Sequence, residues 1–256
     1  MKKPELRKLL GNGDEKLALF NSRLQVSPVR PVLGIRTAEL RKLAKQQAKV
    51  KGIAFVDNLL ENTEGLYYEE VLLCYFAFAT LAAKMQQEDV FHYLDRLLLL
   101  NDSWATNDSL ASSLKCISKA SDKYWEYLKI KLQSKNPWDQ RFAIICFMDY
   151  YLDDTHTATV LEQLSKCRSN EYYVNMALAW AFATALAKQR ELTAKYFFTQ
   201  DALTPEVWAM SASKAIESFR ISNADKQRLK TLRHEKQKYG NCLQQSFKGS
   251  KGKCKT

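Results

Sequence analysis

Glycine and proline are scarce in this chain, at 8 and 5 of 256 residues. So few obligatory turns argue for long helices with short connections. No segment alternates apolar and polar residues for long enough to need a sheet. No run of about eighteen apolar residues occurs, so no transmembrane helix is predicted. The first ten residues carry Lys2, Lys3, Arg7 and Lys8 but neither an apolar h-region nor a small-residue cleavage site, and a soluble, cytosolic protein is expected. CxxC pairs are missing. Cys74, Cys116, Cys146, Cys167, Cys242 and Cys254 are spread out and read as reduced core or surface residues, not as disulfides or metal ligands. Histidine is rarer still. His92, His156 and His234 lack a Cys or carboxylate at ligand spacing, which predicts no metal, no cofactor and no His-based catalysis.

What the chain has in excess is positive charge, +11 in total. Its distribution says more than its sum. From Lys226 onward ten bases face the single acid Glu235, so that stretch nets +9 and the body only +2. A polyanionic partner fits if the few bases of the body share one face. Residues 240–256 have Gly249, Ser250 and Gly252 among lysines and almost no apolar side chains, and are expected to be a disordered basic tail after a folded domain of residues 1–239.

The apolar period is helical throughout the body. A helix opens over Glu39–Ala44 after a turn at Gly34, a nearly all-apolar one fills Tyr67–Ala82, and Leu94, Leu97 and Leu98 stand at core spacing in the next. Helix starts are punctuated at Ser121-Asp122, Asn136-Pro137, Asn170-Glu171 and Thr204-Pro205, where a polar side chain can accept from orphan N–H groups or proline can take the first helical position. The fold class predicted is all-α, about a dozen helices paired into repeats of roughly 35 to 40 residues. Such repeats bury their apolar stripes only by stacking, which predicts a curved superhelix whose concave groove is lined by helices 102–118, 137–152 and 170–188.

Trp104, Arg141 and Trp180 lie 37 and 39 positions apart, near the repeat length, so they occupy equivalent places in successive repeats. Asp108 follows Trp104 by four residues and shares its helix face. A carboxylate and a guanidinium flanked by two indoles need a reason in an array that normally fills such faces with Leu, Ile and Val. Plain readings stand beside this one. The two tryptophans can be core anchors, Asp108 a polar residue early in a helix, and Arg141 a surface pair with Asp139 or Asp108 of little worth. Trp125, Trp138 and Trp208 are assigned to packing. Of Tyr172 and Tyr173, one packs while the other reaches for a ligand. Glu69 and Glu70 diverge by about 100° on a helix, which argues against an acid dyad.

Four segments carry a family resemblance: Gly34–Lys45, Ser103–Asp108 with its Trp-x-x-x-Asp, Trp138–Ile144 around Arg141, and Tyr172–Ala181 around Trp180. In that order and spacing they resemble the AlkD-like DNA alkylation repair family of HEAT-like alkylpurine DNA glycosylases, over roughly residues 5 to 230. The resemblance implies a monomeric, monofunctional glycosylase that removes cationic N3- or N7-alkylated purines from duplex DNA without a cofactor. It implies Asp108, Trp104, Trp180 and Arg141 as catalytic residues, and Arg141, Tyr172, Tyr173 and Lys214 as DNA contacts. A basic residue expected near position 183 is replaced by Ala183, a change that weakens grip on DNA more than chemistry. The alternative is a HEAT-repeat scaffold that binds DNA, RNA or protein in the same groove without catalysis.

Overall fold

The computed structural model describes the backbone of residues 3–25, 30–119, 122–199 and 201–250, and side chains over 5–25, 30–118, 122–199 and 201–236. Fourteen α-helices and no strands are found among the described residues. They fall into two compact units, Met1–Tyr151 and Leu152–Thr256.

The first unit holds α1 (Lys3–Leu10), α2 (Glu15–Leu24), α3 (Thr37–Lys51), α4 (Ala54–Leu60), α5 (Tyr68–Ala82), α6 (Gln87–Leu98), α7 (Trp104–Ser113), α8 (Asp122–Leu132) and α9 (Pro137–Tyr150), with a 3-10 turn at Lys115–Lys119 after α7. Helices α3, α5, α7 and α9 pack side by side in that order. Helices α4 and α8 cover the neighbouring α5 and α9, and α6 packs on α8. This is a stack of helix pairs, as the repeat length predicts. Helix α5 has neighbours on several sides, which explains why its sequence is apolar all round, with Leu72, Leu73, Cys74 and Tyr75 buried together.

At the front of the unit, the segment before α3 is fastened by a buried carboxylate. Glu69, fully buried on α5, accepts N–H bonds from Leu33, Gly34 and Ile35 at 2.9, 2.8 and 3.4 Å. Gly34 has φ 83°, and a Cβ there would stand 2.0 Å from the Asp14 carbonyl oxygen. Only glycine allows the turn this close approach. Glu70 instead bonds the N–H of Tyr67 at 2.7 Å and faces Arg7 at 3.7 Å, so the adjacent acids serve separate partners.

The second unit holds α10 (Thr157–Lys166), α11 (Tyr172–Lys188), α12 (Arg190–Phe198), α13 (Pro205–Glu217) and α14 (Asn223–Ser250). Helix α11 packs on α13 and α13 on α14, while α10 pairs with α12. Trp208 is buried on α13 and donates to the Phe197 carbonyl at 3.1 Å. Helix α14 runs into the segment for which composition predicts disorder. Side chains beyond residue 236, the chain from 251 to 256 and the cap expected at Ser121 lie outside the described residues.

Helix ends follow the predicted chemistry in part. Asn136 accepts from Trp138 N at 3.0 Å ahead of Pro137, and Thr204 accepts from Val207 N at 3.3 Å ahead of Pro205. Asn170 caps nothing: the N-cap of α11 is Glu171, which makes no side-chain bond to the helix, and Ser169 Oγ accepts the Glu171 N–H instead.

Candidate active site

Helix α7 is fixed at its start before any site residue appears. Ser103 Oγ accepts the Thr106 N–H at 3.3 Å as N-cap. Arg30 pairs with Asp102 and donates to the Leu100 carbonyl at 3.1 Å, and Tyr75 donates to Asn101 Oδ1 at 2.8 Å. Two further bonds tie α7 to α9 near both ends. Asn107 Nδ2 donates to the Trp138 carbonyl at 2.7 Å, and Tyr150 OH donates to the Ala111 carbonyl at 2.9 Å. Start therefore lies by start and end by end, so the two helices run in the same direction.

Between those ties Arg141 on α9 meets Asp108 on α7. Nε donates to Oδ1 at 2.8 Å and Nη2 to Oδ2 at 2.7 Å, a forked pair that fixes the plane of the carboxylate. The Arg141 side chain is 5 % exposed and that of Asp108 15 %. This overturns the reading of Arg141 as an ordinary surface pair, because a forked guanidinium shut away from water is strongly coupled to its carboxylate. Asp139 turns elsewhere, accepting from Ser134 Oγ at 2.9 Å and facing Lys131 at 3.8 Å. Burial raises the Asp108 carboxyl above its ordinary value, with the Arg141 hydrogen bonds and charge pulling the other way. Trp104, one turn before Asp108, is half-buried.

In the second unit Trp180 is 42 % exposed, so it is not a core anchor. It lines a cleft of ≈ 240 Å³ with Ala183, Thr184, Lys214, Glu217 and Arg220. An adjoining cleft of ≈ 450 Å³ shares Lys214 and Glu217 and adds Tyr172, Met176 and Arg233. Tyr172 is exposed and sits edge-on to the half-buried Tyr173, ring centroids 5.2 Å apart. The structure thus brings Trp104, Asp108 and Arg141 together in one unit, and Trp180, Tyr172 and Lys214 together in the other. Sequence reasoning missed Arg220 and Glu217. Arg220 follows Phe219, a large apolar residue in the turn between α13 and α14.

His156 also corrects the sequence reading, because its Nδ1 lies 2.9 Å from Asp153 Oδ1, a carboxylate three residues earlier. No group of three or more metal-ligating side chains occurs among the described residues. No helix among them is long and apolar enough to cross a membrane.

The profile of a protein family described as DNA alkylation repair enzyme matches residues 6–219 of the chain. No curated protein matches it.

Proposed function

Because the chain belongs to the DNA alkylation repair enzyme family, we propose that it is a DNA glycosylase that hydrolyses the N-glycosidic bond of cationic N3- or N7-alkylated purines in duplex DNA. The observation that carries this reading is the forked Arg141–Asp108 pair, almost dry yet with Asp108 still 15 % exposed. A stacking array gains little from burying such a pair, since apolar residues of the same volume do as well or better.

Alkylation of a ring nitrogen places positive charge on the purine and makes it a good leaving group. As the bond breaks, the sugar gains oxocarbenium character. A carboxylate held in one plane stabilises that charge without reorganising at the moment of reaction. Each Asp108 oxygen keeps lone-pair capacity beyond the one bond it accepts from Arg141, enough to orient the attacking water. Arg141 acts chiefly as a positioning residue, turning Asp108 and favouring its ionised form. Trp104 and Trp180 supply electron-rich faces that favour a cation. Tyr172, Tyr173 and Lys214 contact the DNA backbone, and the basic segment 240–256 adds affinity that fades as salt rises. The curved superhelix with a concave groove over residues 1–239 belongs to this proposal as well.

The test is incubation of the purified protein with a duplex carrying one N7-methylguanine, followed by assay for an abasic site. Base release at a rate above the spontaneous one supports the reading. Tight duplex binding with the glycosidic bond intact would favour the non-catalytic scaffold.

A further inference from the structure

Arg41 on α3 lays its guanidinium over the ring of Phe76 on α5, 4.0 Å from the centroid, and its Nη1 donates to Ser113 Oγ on α7 at 3.0 Å. One side chain thus bridges three of the four helices that pack side by side in the first unit. Phe76 and Ser113 are buried, while Arg41 itself is exposed. Covering an aromatic ring needs no charge, and an apolar side chain would do it with nothing to desolvate.

No carboxylate compensates this cation. Arg41 forms no ion pair among the described residues. Burial pulls its guanidinium below the ordinary value, opposed by the Tyr150 phenol on α9. The ring of Tyr150 in turn carries Lys115 Nζ, 5.5 Å from its centroid. Lys115 is exposed and also forms no ion pair among the described residues. The acids nearby turn elsewhere. Glu39 precedes Arg41 by two residues and so points about 200° away on the helix. Asp149, beside Tyr150, pairs with neither cation, and Asp108 is taken by Arg141. Arg41 spends one of its N–H donors on Ser113 and keeps the others for a ligand. Two unneutralised cations bordering one phenol make a site for an anion.

The distance to Asp108 says which anion fits. Ser113 follows Asp108 by five residues on α7, about 7.5 Å along the helix axis. One strand of DNA carries a phosphate about every 3.4 Å of its rise. A strand that runs along α7 with a sugar at Asp108 therefore brings the phosphate about two nucleotides away to Arg41. We propose that Arg41 and Lys115 form a phosphate clamp on the damaged strand, about two nucleotides from the lesion. The inference rests on the DNA-binding reading given above. The clamp sets the position of the strand from its backbone alone, without reading a base.

The experiment compares wild type, Arg41→Met and Lys115→Met, methionine being chosen at 41 because it can still cover Phe76. Binding is measured by fluorescence anisotropy over a range of salt, on a duplex with one tetrahydrofuran abasic analogue. The same duplex is then made with single methylphosphonates, which remove one charge each, at successive positions of the damaged strand. Each variant should lower the salt slope by about one counterion. One methylphosphonate near the lesion should weaken wild-type binding about 10-fold, the scale for one charge-assisted hydrogen bond. That same substitution should leave Arg41→Met unaffected. The melting temperature of Arg41→Met and its single-turnover rate at saturating protein should match wild type. A wild-type salt slope in Arg41→Met, or equal losses in both proteins at every methylphosphonate, overturns the clamp and leaves the DNA reading standing. A lowered melting temperature with affinity retained overturns it too, by assigning Arg41 to packing. A wild-type protein that does not bind the duplex would overturn both readings.

Discussion

Arg141 holds Asp108 by two parallel hydrogen bonds with both side chains nearly out of water. Arg190 offers Asp225 the same fork, at 2.6 and 2.7 Å, but keeps 56 % of its side chain exposed. The outcome for the two acids is opposite. The Asp225 carboxyl lies below its ordinary value, chiefly because of the Arg190 hydrogen bonds, whereas that of Asp108 lies above, because burial outweighs the fork. With equivalent geometry, solvent decides the sign. The difference lies with the arginine: Asp225 at the start of α14 is anchored to a guanidinium that water reaches, whereas Asp108 is paired with one that is itself buried.

Asp108→Asn keeps the size of the side chain and removes its charge. Single-turnover base release should fall by about 10²-fold or more, the scale for one preorganised electrostatic group. Duplex affinity should change much less. Equal rates for the two proteins would remove Asp108 from the chemistry.

The direction of the Asp108 shift sets a pH dependence. Only the ionised carboxylate stabilises the sugar cation, so protonation stops the reaction, and a raised carboxyl protonates at a higher pH than an ordinary aspartate. The rate should therefore decline on the acid side with a midpoint above the ordinary Asp range. Arg141 opposes the rise, so Arg141→Met should move that midpoint higher still. A pH–rate profile of each protein decides it, and an Arg141→Met midpoint at or below that of wild type would contradict the assigned role.

Glu69→Ala tests the scaffold separately from the chemistry. It strips the bonds from the N–H groups of Leu33, Gly34 and Ile35. Each buried donor left unpaired costs about 1–3 kcal/mol. In a chain of this size the melting temperature should drop by about 5 °C or more, while the rate per folded molecule holds. An unchanged thermal melt would show that water replaces the carboxylate at no loss.

What the sequence revealed was local, and what it hid depended on packing. Asn136-Pro137 and Thr204-Pro205 announce helix starts because capping is settled within four residues. Asn170 misled, since α11 starts one residue later, with Glu171 as N-cap and the Glu171 N–H held by Ser169 Oγ. The repeat spacing placed Asp108 and Arg141 on neighbouring helices. It could not show that they interlock, because that requires the cross-helix bonds of Asn107 and Tyr150 to set the register. Trp180 was ambiguous for a related reason: an indole suits a core or a cleft, and only the packing of α11 on α13 left it in the open.

The cysteines bear on the setting in which such an enzyme would operate. An electrophile that alkylates a purine nitrogen also attacks thiolates. Cys74, Cys116 and Cys146 are buried; burial pushes the Cys74 thiol up to about 12 and that of Cys146 well above its ordinary value. The Cys74 and Cys146 sulfurs stay protonated, and all three are out of reach. The core of the first unit is thereby insulated from the reagents whose lesions the proposed activity would remove.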